Sequence, residues 1–298
     1  MAPTPRRELN ILLTGFGPFM SVGNNPSWLA VKPLHNTLLD LSTSPTLSPP
    51  GSSTAPASES GGQRVQARVQ TLQVPVHYGS VLDLVPRLHG QTPPPEAEFW
   101  HDPRLDPDFG GKVGEHYPDA YPFDAPPDGW DVVIHVGVGR GGSIRCETQA
   151  HQYSYGKPDA HTAFAPRITL SSTELERLNP KYLDQDGHPR GFPSSYEGFN
   201  AIESTPVPVS SLIASLHSCG VRKEELQQSF DPGRYLCDYI FYCSLCEAKR
   251  DGRGTLVLFV HVPPAEDVGV ERCSEVIRGI AWFVAKQRAD QMAKESGA

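Results

Sequence analysis

The sequence predicts an α/β fold: one mostly parallel, open, twisted sheet with helices on both faces, carrying long loop insertions. Three observations predict it. Extended apolar runs alternate along the chain with runs of helical spacing, the order that lays crossover helices on a parallel sheet. One of those runs, "DVVIHVGV" (131–138), is apolar nearly throughout, as a central strand covered on both faces must be. The 298 residues include 30 prolines and 27 glycines, with only 38% hydrophobic and 20% charged residues, so much of the length is predicted to be loop around a smaller core.

Each element has its own signal. "LNILLTG" (9–15) is a buried strand ending in a turn, and "NPSWLAVKPL" (25–34) opens a helix with Pro26 tolerated in its first turn. Residues 41–62 are almost all Ser, Pro, Thr, Ala and Gly. Such a stretch buries too little apolar surface to offset chain entropy and is predicted to be disordered, giving a first insertion over 41–63. "VQARVQTLQVPV" (65–76) alternates as a strand, and "GSVLDLVPRLHG" (79–90) is a helix with a glycine stop. Residues 91–130, rich in Pro, Asp and Gly, form a second insertion, and the polar, turn-rich 154–200 a third. "VSSLIASLHSCG" (209–220) is a short helix. A longer helix over 233–249 spaces Leu236, Tyr239, Ile240, Cys243 and Cys246 along one side. "TLVLFVHVPP" (255–264) is a strand stopped by prolines, and 270–294 an amphipathic terminal helix. There is no internal repeat.

Composition narrows the function. A net charge of −8 argues against general binding to nucleic acid or to a membrane surface, since both need a basic face. No apolar run approaches the length of a membrane span, and "MAPTPRRELN" lacks the apolar core of a signal peptide. Six cysteines in a chain this long do not make a disulfide framework, which points to a reducing, cytoplasmic setting.

The glycines at 137, 139 and 142 match G-x-G-x-x-G, the pattern that cradles a dinucleotide pyrophosphate. That fingerprint needs a helix after the glycines and an acidic residue at the tip of the next strand. "SIRCETQAHQYSYG" is a poor helix, and no apolar strand follows before Asp159. The nucleotide reading is thereby weakened, and two others stand ahead of it: a tight turn at a strand end, or a turn presenting an active-site residue, with Glu147 the candidate.

Among the cysteines, Cys243 and Cys246 form C-x-x-C inside a helix without a second ligand pair, so buried packing is the simpler reading than zinc. Cys219 and Cys273 fall on helical segments, and Cys146 should face away from its neighbour Glu147. Cys237 differs. "FDPGRYLC" puts a turn before it, so it falls at a helix N-terminus, where backbone N–H groups favour the thiolate. A thiol nucleophile wants a histidine partner. His135 sits inside an apolar strand and reads as core. His261 ends a strand, and in an open α/β sheet sites collect beyond the carboxyl ends of strands. Glu147, Cys237 and His261 can therefore converge as orienting carboxylate, nucleophile and base. A serine hydrolase lacks its G-x-S-x-G signal.

Four separated blocks resemble the pyroglutamyl peptidase I family of cysteine peptidases: "LLTGFGPFMSVGNNPSW", "IRCE", "GRYLCDYIFYCSL" and "FVHVPP". The resemblance implies an α/β/α sandwich over a single domain spanning 1–298, and removal of an N-terminal pyroglutamyl (5-oxoprolyl) residue from peptides, with no metal or other cofactor. It implies Cys237 as nucleophile, His261 as base and then acid, and Glu147 as the residue orienting His261. It also implies Phe16 and Phe19 as walls of the lactam pocket, with Asn25 ordering the loop beside it. Aromatic walls suit a flat neutral lactam that has no free amine. After the glutamate the family commonly continues R-V-A-x-N, where this chain has "TQAHQY". A cysteine hydrolase of altered acyl preference, a non-catalytic interaction protein and a nucleotide binder are the competing readings. Oligomeric state is not fixed by the sequence.

Overall fold

Four parallel strands make the middle of the molecule. In the computed structural model, which describes residues 8–19, 22–47, 65–90 and 125–297, β1 (Leu9–Phe16), β3 (Gln66–Val74), β4 (Val132–Val138) and β9 (Leu256–Val262) lie side by side in the order β3-β1-β4-β9. Most of the two insertions over 41–63 and 91–130 falls outside the described residues. At one edge β2 (Leu38–Asp40) pairs antiparallel with β3. At the other, β5 (Ile144–Glu147) runs antiparallel to β9, and β8 (Leu226–Ser229) runs parallel to β5. The sheet is thus mostly parallel with reversed edges. A separate ribbon joins β6 (Gln149–His151) to β7 (Ile202–Ser204).

Strand alternation divides the core in two. Ile11, Leu13, Ile134, Val136, Leu258 and Val260 point to one face. There they meet α1 (Pro26–Val31), α4 (Val209–Ser218) and α6 (Val270–Ser296) through Trp28, Leu212 and Ile277. Leu12, Phe16, Val133, Val257 and Phe259 point to the other. They meet α2 (Tyr78–Leu88) and α5 (Leu236–Asp251) through Val81, Tyr239 and Ile240. Helices on both faces make the expected α/β/α sandwich. Local chemistry sets the helix ends: Asn25 caps α1 by accepting from Ser27 N–H, and α5 stops at Gly252, whose φ of +71° suits a residue without a side chain.

The sequence marks 154–200 as a polar, turn-rich insertion. Its path is irregular, with one short helix, α3 (Ser172–Arg177), held by a Ser171–Glu174 capping box. It is not peripheral, however. Tyr155, Phe192 and Tyr196 are buried, and Phe192 stacks on Tyr239 of α5 at 3.9 Å between ring centres. The Tyr196 hydroxyl donates to buried Glu247 at 2.6 Å. Scattered aromatics with no period anchor this segment, which is why its packing escapes a search for amphipathic runs. No helix among the described residues is long and apolar enough to cross a membrane.

Candidate active site

The site lies on the α2/α5 face, beyond the carboxyl ends of β1, β4 and β9. Residues directly opposite one another in adjacent strands share a face, as do residues two apart along a strand. Gly137 of β4 is registered with His261 of β9, which is itself registered with Arg145 of β5; Phe259 faces Glu147 in the same way. Five positions of three strands therefore point the same way. Glu147 stands diagonally across from His261 and reaches it: His261 Nδ1 donates to Glu147 Oε1 at 2.8 Å, with Glu147 fully buried. The carboxylate fixes the tautomer, leaving Nε2 as the proton-accepting atom. The second oxygen of Glu147, Oε2, has no hydrogen-bond partner among the described residues, so its charge is committed to the imidazole. Cys146, between Arg145 and Glu147, points into the opposite core as the alternation requires.

Cys237 arrives from above the sheet at the N-terminus of α5, two residues past the cap position Tyr235. The glycines explain how it fits. A methyl group on Gly137 would lie 2.8 Å from Cys237 Sγ, and one on Gly139 would lie 3.0 Å from both Cβ and Cδ2 of His261. The sulfur thus rests on the bare backbone at 137 and the imidazole on that at 139, two residues apart on one face. These two glycines hold no pyrophosphate loop open; they make room for a thiol and a ring. Gly142, at φ +101°, turns the chain back into β5, and its N–H donates to Asp267 Oδ2 at 3.0 Å.

The thiol does not have the low pKa that its helix position suggests. Burial first, and then the nearby carboxylates of Glu147 and Asp238, push it up to about 12 against the pull of its own backbone N–H. Desolvation and two negative charges outweigh one end of a helix. In the free protein Cys237 is a neutral thiol that needs a base to lose its proton.

Comparison with known proteins gives relatives in sequence and in fold. No family model matches the chain. The mouse, rat and human proteins named pyroglutamyl-peptidase 1 are each 25% identical over 261 residues, spanning 87% of this chain and 80% of theirs. The crystal structure of pyroglutamyl peptidase I from Bacillus amyloliquefaciens superposes with a TM-score of 0.54 at 20% identity, covering 93% of this chain and 97% of that one. A variant pyrrolidone carboxyl peptidase from Pyrococcus furiosus gives 0.56 at 17% identity, over 94% and 99%. The likeness is to pyroglutamyl peptidase I, in sequence and in fold.

On this fold, similar to that of pyroglutamyl peptidase I, the predicted pocket residues run from the last position of β1 to the cap of α1. Phe16 is buried in the α2/α5-side core, and Phe19 packs half-buried against the same cluster. Asn25 spends its side chain on the loop: Nδ2 donates to Gly17 O at 3.0 Å, and Oδ1 accepts from Ser27 N and Oγ. Ser27 Oγ in turn accepts from Phe16 N–H at 3.0 Å. Cys243 and Cys246 are buried on α5, and no group of His, Cys, Asp and Glu among the described residues could hold a metal ion.

Sequence reasoning missed a second imidazole–carboxylate pair. Asp238, next to the nucleophile candidate and fully buried, accepts from His151 N–H at 2.9 Å and lies 3.0 Å from His151 Nδ1 and 3.2 Å from Arg234 Nη1. It ties the β6 ribbon to the first turn of α5. An acidic residue in a helix's first turn was the available signal. The other miss, Arg145, lies within the quoted "IRCE" block.

Proposed function

We propose that this protein is a cysteine exopeptidase that hydrolyses the N-terminal pyroglutamyl residue of peptides through a thioester, acting as one domain over residues 1–298 in the cytoplasm. The observation that carries the reading is the Glu147–His261 hydrogen bond on the sheet face where the Cys237 sulfur rests over Gly137, the strand neighbour of His261. The relatives' names supply the substrate class, and six free cysteines suit a reducing compartment.

The roles follow from the charges. Because burial keeps Cys237 protonated, the thiol gives its proton to His261 Nε2 as sulfur attacks the pyroglutamyl carbonyl. Glu147 stabilises the imidazolium so formed, which offsets its unfavourable effect on the thiolate. The Cys237 backbone N–H, in the first turn of α5 where no helix carbonyl precedes it to accept, is placed to receive the oxyanion. His261 then protonates the leaving amine, and later takes a proton from the water that opens the thioester, returning it to sulfur. Phe16 and Phe19 line the lactam pocket in this reading, with Asn25 holding their loop.

The test is hydrolysis of a pyroglutamyl fluorogenic amide by the purified protein under reducing conditions, beside Cys237→Ala and Cys246→Ala. Turnover lost in the first variant and kept in the second, with all three proteins folded by circular dichroism, supports the reading. Turnover that survives Cys237→Ala refutes it, and cleavage confined to other acyl amides replaces pyroglutamate with another acyl group.

A further inference from the structure

Arg145 shares the face of Glu147 and His261, yet the mechanism above gives it no task. It is registered directly opposite His261. Its side chain folds over Gly139: a methyl group there would lie 2.4 Å from Arg145 Nη2 and 3.0 Å from His261 Cδ2. The guanidinium and the Cδ2–Nε2 edge of the imidazole thus flank the same bare backbone atom. That edge is the one turned away from Glu147, the edge that handles the leaving amine.

The guanidinium is only half satisfied. It donates to two backbone carbonyls, Arg140 O at 3.1 Å and Ser143 O at 3.4 Å, which leaves other N–H donors of its fork unused. No carboxylate among the described residues is within salt-bridge distance of it. Glu147, two residues on, is bonded to His261, and Asp267 is bonded to Gly142 N–H. Partial burial disfavours its charge, the nearby Glu147 carboxylate favours it, and Arg140 beside it repels it. In a chain of net charge −8, a half-buried arginine beside the catalytic edge with no directly paired carboxylate among the described residues is out of character.

Resting on the peptidase reading, we propose that Arg145 binds a carboxylate on the first residue of the leaving peptide, making anionic leaving groups the preferred substrates. The position fits the chemistry. His261 Nε2 hands its proton to the nitrogen of that residue, so a carboxylate two to four bonds from the nitrogen falls within reach of a guanidinium beside Cδ2. Two sources offer that group: the terminal carboxylate of a pyroglutamyl dipeptide, or an Asp or Glu side chain in a longer peptide. A planar fork suits either, in bidentate geometry.

The experiment measures binding as well as turnover. Pyroglutamyl-alanine, its C-terminal amide, and the α-amide of pyroglutamyl-aspartate, whose side-chain carboxylate stays free, are titrated calorimetrically into the Cys237→Ala protein, with and without Arg145→Gln or Arg145→Lys. The same three are compared as substrates of the parent and the Arg145 variants. An unused charged donor supports a preference of about tenfold or more for a carboxylate ligand over the neutral amide. Arg145→Gln should reduce the ratio to near one, with Arg145→Lys in between. The dipeptide and the aspartyl ligand separate the two carboxylate sources. If Arg145 only braces the 140–143 turn, its loss weakens all three ligands alike and leaves the ratio unchanged, which overturns the proposal. Failure of the peptidase reading shows separately, as absent turnover of the neutral amide by the parent. The binding ratio still decides the role of Arg145 in that case.

Discussion

Replacing Gly137 by alanine tests the site at its tightest point. The backbone there is ordinary strand, so alanine brings no conformational strain of its own. The cost is contact. The new methyl would lie 2.8 Å from Cys237 Sγ, 2.8 Å from Phe259 Cζ and 3.4 Å from Phe259 Cε1. Unstrained contacts of this kind need about 3.5–4.0 Å, so each of the two 2.8 Å contacts must open by roughly 0.7–1.2 Å. Phe259 is fully buried in the close-packed α2/α5 core and has little room to move. Cys237 is partly exposed at the start of its helix, so most of the displacement falls on the sulfur. Overpacking of this size costs about 1–3 kcal/mol of stability. A nucleophile displaced by about 1 Å loses on the order of a hundredfold in rate. The assay is kcat on the pyroglutamyl amide beside a thermal melt, with Gly198→Ala as control, because a methyl there meets nothing within 4 Å. The expected result is a large fall in kcat with a melt lowered by only a few degrees. Activity within twofold of the parent in a folded Gly137→Ala protein refutes the placement of Cys237 over β4.

Two further outcomes depend on titration. Because burial holds the Cys237 thiol at about 12, its alkylation by iodoacetamide should rise about tenfold per pH unit from pH 7 to 9; a rate already level across that range means a preformed thiolate and contradicts the neutral-thiol mechanism. His89 and His135 are buried and neutral, bonded to Ser244 and to Thr14 at 2.8 Å, and desolvation lowers both from 6.5 to about 3. The unfolded chain takes up these protons first, so the stabilisation is complete above pH 6.5 and is lost as the pH falls toward 3. The loss approaches about 1.4 kcal/mol per pH unit for each histidine. Urea midpoints should fall accordingly between pH 6.5 and 5, and a flat midpoint means that these rings are solvated.

Legibility in the sequence followed the source of each element's stability. β1, β4 and β9 carry their own signal because strands buried on both faces are apolar nearly throughout, and β3 carries its signal in alternation. α5 and α6 carry theirs in helical spacing. β5 and β8 are four residues each, "IRCE" and "LQQS"; β5 exists because β9 offers an edge to pair with, and β8 because β5 offers the next one. Nothing local in those segments distinguishes strand from turn. From sequence Glu147 therefore reads as presented by the glycine turn beyond β4, whereas it belongs to a strand running against β9. The packing of 154–200 was hidden for a related reason: its anchors, Tyr155, Phe192 and Tyr196, lie far apart and follow no period. Cys237 and His261 were legible because each stands at the boundary of an element with a strong pattern of its own.

The reversed strand also explains why the arrangement needs glycine at 137 and 139. In a purely parallel sheet the residues after β4 would leave over a helix, and a carboxylate there would have no fixed register against β9. Turning back at Gly142 instead lays β5 against β9, so a two-residue offset alone determines that Glu147 meets His261 diagonally and that Arg145 meets it head on. The same reversal fills the space beside β9 with two long side chains and a ring, and α5 adds a sulfur from above. Only bare backbone on the facing stretch of β4 leaves volume for all four. A glycine pattern that looks like a phosphate cradle is thus accounted for by steric demand on one face of the sheet. The same reasoning predicts that position 141, where a methyl would meet the Asp267 carboxylate at 2.3 Å, is restricted by the turn's anchor and not by the catalytic groups.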